Sequence, residues 1–138
     1  MLLFEYLQKR KVILVYLPLI IYWLVLFTAT TLPVQELPSI GLSDKLNHFI
    51  AYFVLSVLVH LTLIYQRRFE ILFNYAPAAT LIISLLYGIA DELHQMLIPG
   101  RSAELLDWIA DASGAIIGVL LVLYLKNRFK YKSEYKSI

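Results

Sequence analysis

The chain has 138 residues, a length that suits about one domain. Apolar residues make up 60% of it and charged residues 16%, where soluble domains average roughly 45–50% and 25%. That composition leaves too little polar surface for a water-soluble fold and too many aromatic and β-branched residues for disorder, the absence of cysteine excludes a disulfide scaffold or a thiolate zinc module, and a net charge of +2 with no central basic stripe argues against nucleic acid.

An integral membrane protein remains, and the apolar runs are long enough for one. A spanning helix needs roughly 20 mainly apolar residues. The first run covers 12–32 without a charge. It exceeds the roughly 7–15 residues of a secretory signal core, so it reads as a retained helix. Pro18 inside it predicts a kink, with neighbouring helices satisfying the freed carbonyl. The second run covers 46–65 and is broken only by Asn47, His48 and His60. Ser43 and Asp44 stand where its N-cap belongs. The third covers 74–97 and carries Asp91, Glu92, His94 and Gln95 near its end, before the Pro99-Gly100 turn signal. The fourth covers 104–125, with Ser102 and Glu104 at its start and Asp107 and Asp111 in its first third. The expectation is an all-α membrane protein, a four-transmembrane-helix bundle forming a single domain over 1–138, with a basic tail at 126–138.

Four spans put both termini on one side, and the basic residues choose that side. Lys9, Arg10 and Lys11 precede span one, Arg67 and Arg68 lie between spans two and three, and Lys126, Arg128, Lys130, Lys132 and Lys136 follow span four. Of the acids, only Glu5, Glu70 and Glu134 accompany them. Ten cations against three acids give +7 on that side; Lys45 and Arg101 against the seven other acids, Glu36 among them, give −5 on the opposite one. Both termini are expected in the cytoplasm.

The remaining polar residues are costly. An Asp, Lys or Arg at the centre of a span costs roughly 2.5–3.5 kcal/mol on insertion scales, and such residues tend to be paired, inward-facing and functional. Here they share one depth. At about 1.5 Å per residue, His48, Asp91, Asp107 and Asp111 all fall in the outer third of their helices. Helical spacing also gathers them on faces: Asp44, His48 and Tyr52 on span two with Lys45 beside them; Asp91, His94, Gln95 and Ile98 on span three; Asp107, Asp111, Gly114 and Gly118 on span four. Gly114 to Gly118 is a G-x-x-x-G, the small-residue pattern of close helix contact. Spans two, three and four are expected around a polar pocket open to the outside, with span one, nearly free of polar groups, on their flank.

Three motifs carry a family resemblance. Asp44-Lys45-x-x-His48-Phe49-x-x-Tyr52, Asp91-Glu92-x-x-Gln95-x-x-x-Pro99-Gly100-Arg101 and Asp107-x-x-x-Asp111-x-x-Gly114-x-x-x-Gly118 resemble, in order and spacing, the motifs of the VanZ-like membrane proteins across about residues 10 to 125. The resemblance implies a multi-pass protein of the bacterial cytoplasmic membrane, related to a protein of teicoplanin resistance. It supplies a fold and a site, and no reaction. One departure is Asp111, where the family pattern more often has Asn.

The residues allow three readings. An enzyme or binding protein would act on an envelope lipid or a lipid-linked cell-wall precursor, or on a glycopeptide-related ligand. Glu92, Asp107 and His48 would then handle protons as catalytic groups; Arg101, Gln95, Asp44, Lys45, Tyr52, Asp91 and Asp111 would bind substrate. Arg101 either grips a phosphate or carboxylate with its fork or pairs with Glu92 or Asp107 to fix a loop. A structural or partner protein would use the same cluster as helix glue, and a small transporter would need more polar residues in the inner half than Ser56, His60 and Ser84. His94 ranks below His48, and His60 reads as packing. His48, Asp91, Glu92, His94, Asp107 and Asp111 offer metal donors, but no H-E-x-x-H spacing exists, so no metal or other cofactor is expected. Membrane lipids are the expected partners, with no nucleic acid; the oligomeric state is open.

Overall fold

The computed structural model describes residues 3–33 and 43–129. Glu36 and the tail from 130 onward, with Lys130, Lys132, Glu134 and Lys136, lie outside the described residues. The described residues form helices and no strand: α1 (Leu3–Lys9), a π-helical turn (Val12–Tyr16), α2 (Leu17–Thr31), α3 (Asp44–Tyr65), α4 (Glu70–Asn74), α5 (Ala76–Gln95) and α6 (Leu105–Arg128). Four stretches are long and apolar enough to cross a membrane: Val12–Thr31, Asp44–Tyr65, Ala76–Gln95 and Leu105–Arg128.

The helix ends follow local chemistry. Pro18 cannot donate to a carbonyl one turn back. The chain absorbs this with the π turn just before it, in which the Leu17 N–H reaches Val12 O. Ser43 caps α3, its side chain accepting from Leu46 N at 3.3 Å. At the other end of α3 the Lys11 ammonium donates to Tyr65 O at 2.9 Å, a cation on the negative end of a helix. Partial burial, with Arg67 nearby, holds that ammonium below the ordinary lysine range. The third apolar run is interrupted at Tyr75. Pro77 lacks the N–H that would continue the ladder from α4, and α5 restarts with this proline in its first turn. Past Gln95 the backbone tightens through Leu97 N→His94 O and Ile98 N→Gln95 O, both 3.0 Å, and Gly100 turns the chain at a φ of 81°. Neither Ser102 nor Glu104 caps α6 with its side chain. Glu104 holds the N-cap position, but its carboxylate is taken by Lys45 and its N–H by Glu92.

Large apolar side chains cover much of the outside of the bundle. Ile20, Leu24, Val25, Leu86 and Leu120 are all more than half exposed, the surface expected of a protein solvated by lipid. The most extensive contact joins α3 to α6. Gly114 and Gly118 make it possible: a Cβ on Gly114 would run into the backbone at Phe49 O, and one on Gly118 into Ser56 Oγ and Phe53 O. An apolar cluster that includes Phe4, Leu55, Val59, Leu63, Tyr65 and Val122 fills the opposite end of the bundle from the polar groups.

Candidate functional site

Three helix ends and one loop converge on a buried polar cluster. The first turns of α3 bring Lys45 and His48, the last turn of α5 brings Asp91, Glu92 and Gln95, and the first turns of α6 bring Asp107 and Asp111. Asp91, Glu92, Gln95, Asp107 and Asp111 are all buried. Each is polar in a place that helix packing alone would fill with apolar atoms.

The cluster has three parts. On the rim, Lys45 Nζ lies 2.5 Å from Glu104 Oε2, 2.6 Å from Asp107 Oδ1 and 3.9 Å from the exposed Asp44. In the centre, His48 Nδ1 lies 2.9 Å from Asp111 Oδ1 and 4.0 Å from Glu92 Oε1. The other Glu92 oxygen, Oε2, accepts from Glu104 N at 2.8 Å and so ties α5 to the start of α6. Facing α2, Arg101 spreads its guanidinium over three acceptors: Leu32 O at 3.0 Å, Gln95 Oε1 at 3.0 Å and Ala29 O at 2.8 Å. Gln95 Nε2 in turn donates to Asp91 Oδ2 at 3.3 Å, and Thr30 faces the same carboxylate.

Two cavities adjoin these groups. One of about 140 Å³ is lined by Ala29, Thr30, Asn47, His48, Tyr52 and Asp91, with Asp44 and Arg101 at its edge. The second is a cleft of about 370 Å³ between α5 and α6, walled by Ile89, Leu93, Leu105 and Trp108, with Glu92 and Glu104 at its polar end. The Trp108 indole donates to Leu85 O at 3.2 Å and fixes the wall. Nitrogen and oxygen donors suited to a cation lie within 4.8 Å of one another in two sets, Asp44 with His48 and Asp107, and His48 with Glu92 and Asp111.

The ten candidate site residues of the three motifs lie at this end of the bundle: Asp44, Lys45, His48 and Tyr52 from α3, Asp91, Glu92 and Gln95 from α5, Arg101 from the loop, and Asp107 and Asp111 from α6. Tyr52 is buried, with its ring 6.0 Å from that of Tyr87. His94 is not part of the cluster; it stacks on Phe27 of α2 at 5.3 Å. His60 lies twelve residues further along α3, roughly 18 Å away at 1.5 Å per residue, buried with neither ring nitrogen bonded among the described residues. The expectation for span one needs correcting. It does not merely flank the others, because Thr30 and the carbonyls of Ala29 and Leu32 close the site. A carbonyl left free at a helix C-terminus exists in every helix, so nothing in an apolar sequence marks those two. Glu104 is the other omission. Its position beside Arg101 and Asp107 is a charge signal that a search for membrane-buried groups passes over.

The comparisons with known proteins agree with this architecture. The sequence profile of the VanZ/LLP1 family matches residues 4–126. A protein of Schizosaccharomyces pombe described as uncharacterized protein C11E3.10 is 28% identical over 124 residues, covering 88% of this chain and 69% of its own length. No solved structure matches. With the profile reaching into all four spans and covering every residue of the polar cluster, this multi-pass membrane protein belongs to the VanZ/LLP1 family.

Proposed function

We propose that the chain receives the polar end of an amphipathic ligand, an envelope lipid or a lipid-linked cell-wall precursor, in a pocket open to the outer face of the membrane. The observation that carries this reading is the cleft between α5 and α6. Its walls are mainly apolar, suited to an acyl or isoprenoid chain, and the buried carboxylate of Glu92 is part of its lining. A ligand lying in it presents its head to His48, Asp107 and Asp111.

The chemistry proposed for that end is proton handling. Asp111 orients the imidazole of His48 as a carboxylate orients a general base. Glu92 stands across from it, and Asp107 is held by Lys45. Asp44, Lys45, Tyr52, Asp91 and Gln95 shape the binding face. Arg101 has five N–H donors, of which three hold Ala29, Leu32 and Gln95. Its main work is to position the rim, leaving two donors for a phosphate or carboxylate. The charge asymmetry supports a cytoplasmic location for both termini. The family resemblance is what supports a bacterial cytoplasmic membrane and an effect on glycopeptide (teicoplanin) susceptibility; the fungal relative means that such sequences are not confined to bacteria.

A second reading has its own support. Lys45, Glu92 and Arg101 each link one helix or loop to another, as expected of a structural or partner protein. Substitution separates the two. Glu92→Gln and Asp107→Asn are expected to leave the helical content and detergent melting temperature near those of the parent chain. They are also expected to abolish any change in teicoplanin susceptibility that the parent chain confers on a bacterial host. Unfolding of both variants would support the structural reading and defeat the ligand-binding one.

A further inference from the structure

We infer that His48, Glu92 and Asp111 form a binding site for one divalent metal cation. The polar end of the bundle gathers six carboxylates, of Asp44, Asp91, Glu92, Glu104, Asp107 and Asp111, around two permanent cations, Lys45 and Arg101. Four of these carboxylates are buried, and buried charges that lack opposite charge are expensive. With all six carboxylates ionised, a proton on His48 offsets only one of the four excess negative charges. A divalent ion offsets two.

Local geometry then selects among the donors. The set of Asp44, His48 and Asp107 already has its cation, because the Lys45 ammonium sits 2.6 Å from Asp107. Among the described residues, no Lys or Arg pairs with the set of His48, Glu92 and Asp111. Two of its oxygens, Glu92 Oε1 and Asp111 Oδ2, are buried without a hydrogen-bond partner among the described residues, on side chains that are 9% and 0% exposed. The Tyr52 hydroxyl, likewise without a partner among them, is buried one turn below His48. An ion about 2.1 Å from each ligand requires ligand atoms roughly 3–4 Å apart. His48 Nδ1 stands 2.9 Å from one Asp111 oxygen and 4.0 Å from Glu92 Oε1, so little movement is needed. One imidazole nitrogen and two carboxylates suit Mn²⁺, Zn²⁺ or Mg²⁺. Glu92 also closes the α5–α6 cleft, so the ion would present positive charge to a ligand's polar head. The metal site stands without that ligand.

The test uses the full chain in detergent micelles, stripped with chelator and titrated with Mn²⁺ under electron paramagnetic resonance. One equivalent is expected to bind per chain and to be displaced by Zn²⁺. Changes to the groups that merely hold a metal's ligands in place already cost roughly 10–100-fold in affinity, so Glu92→Gln, Asp111→Asn and His48→Gln are each expected to raise Kd by roughly tenfold or more, while Asp44→Asn leaves it little changed. Bound Mn²⁺ is expected to show nitrogen hyperfine coupling that persists in His60→Leu and His94→Gln. Should the three ligand variants fail to fold, that coupling in the parent chain and these two histidine variants decides alone. Absence of stoichiometric binding to the parent chain, bound Mn²⁺ without nitrogen coupling, loss of the coupling in His60→Leu or His94→Gln, or an unchanged Kd in folded ligand variants would each overturn the site.

Discussion

Arg101 shows how one side chain at the rim of a membrane bundle can act as structure. Two of its three hydrogen bonds join the loop after α5 to the C-terminal end of α2, at Ala29 O and Leu32 O, and the third holds Gln95 of α5. Hydrogen bonds to charged groups contribute roughly 1.5–3 kcal/mol. Arg101→Gln is expected to lower stability in detergent by at least that much, and Arg101→Lys to recover little, since one ammonium cannot reproduce the planar fork. A melting temperature for Arg101→Lys equal to that of the parent chain would remove the fork from the explanation. His60 presents the opposite case. Its ring is fully buried with neither nitrogen bonded among the described residues, and an unsatisfied buried polar group costs roughly 1–3 kcal/mol. His60→Leu is expected to melt at or above the parent temperature; a clear drop would mean that the imidazole has a partner worth keeping.

At the scale of the helices, the α3–α6 contact rests on two glycines with different tolerances. Around Gly114 the obstacle to a Cβ is backbone, Phe49 O and Phe53 N; around Gly118 the nearest obstacle is Ser56 Oγ, a side chain that can rotate or be removed. Overpacking costs typically 1–3 kcal/mol and occasionally more, and Gly114→Ala is expected to be the more damaging change. Adding Ser56→Ala should recover part of the loss in Gly118→Ala and none of the loss in Gly114→Ala, measured as melting temperatures of the double variants. Equal rescue of both would contradict the packing described. This contact was legible in the sequence because the i, i+4 spacing of Gly114 and Gly118 continues the face of Asp107 and Asp111. The convergence of His48, Glu92 and Asp111 was legible in outline for the same reason. The breaks in regularity were less so. The π turn before Pro18 and the separate α4 before Pro77 depend on how neighbours absorb a missing N–H, and periodicity does not encode that. Nor does it encode backbone acceptors, which is why the contribution of α2 to the site emerged only from the structure.

For the whole molecule, the arrangement of charge makes a claim about direction. The cluster and Arg101 lie at one end of the bundle; Lys9, Arg10, Arg67, Arg68, Lys126 and Arg128 belong to the other. Basic residues in short loops and near helix ends are retained in the cytoplasm during insertion, so the cluster should face outward, where an envelope lipid of the outer leaflet would meet it. The chain contains no cysteine, and single cysteines therefore report side without background. Ser102→Cys, in the exposed loop before α6, is expected to react with a membrane-impermeant maleimide added to intact cells. Asn74→Cys, exposed at the end of α4, and Asn127→Cys, exposed near the end of α6, are expected to react only after the membrane is permeabilised. The reverse pattern would turn the cluster toward the cytoplasm, and its ligand would then be sought among lipids and precursors of the inner leaflet. Labelling of Asn74→Cys and Asn127→Cys from opposite sides would be incompatible with an even number of crossings between them and the shared end of the bundle, and would remove one of the four spans. The charge ledger and the helix count are thus tested by the same three positions. Agreement at all three would give the metal site and the apolar cleft a common address on the outer face.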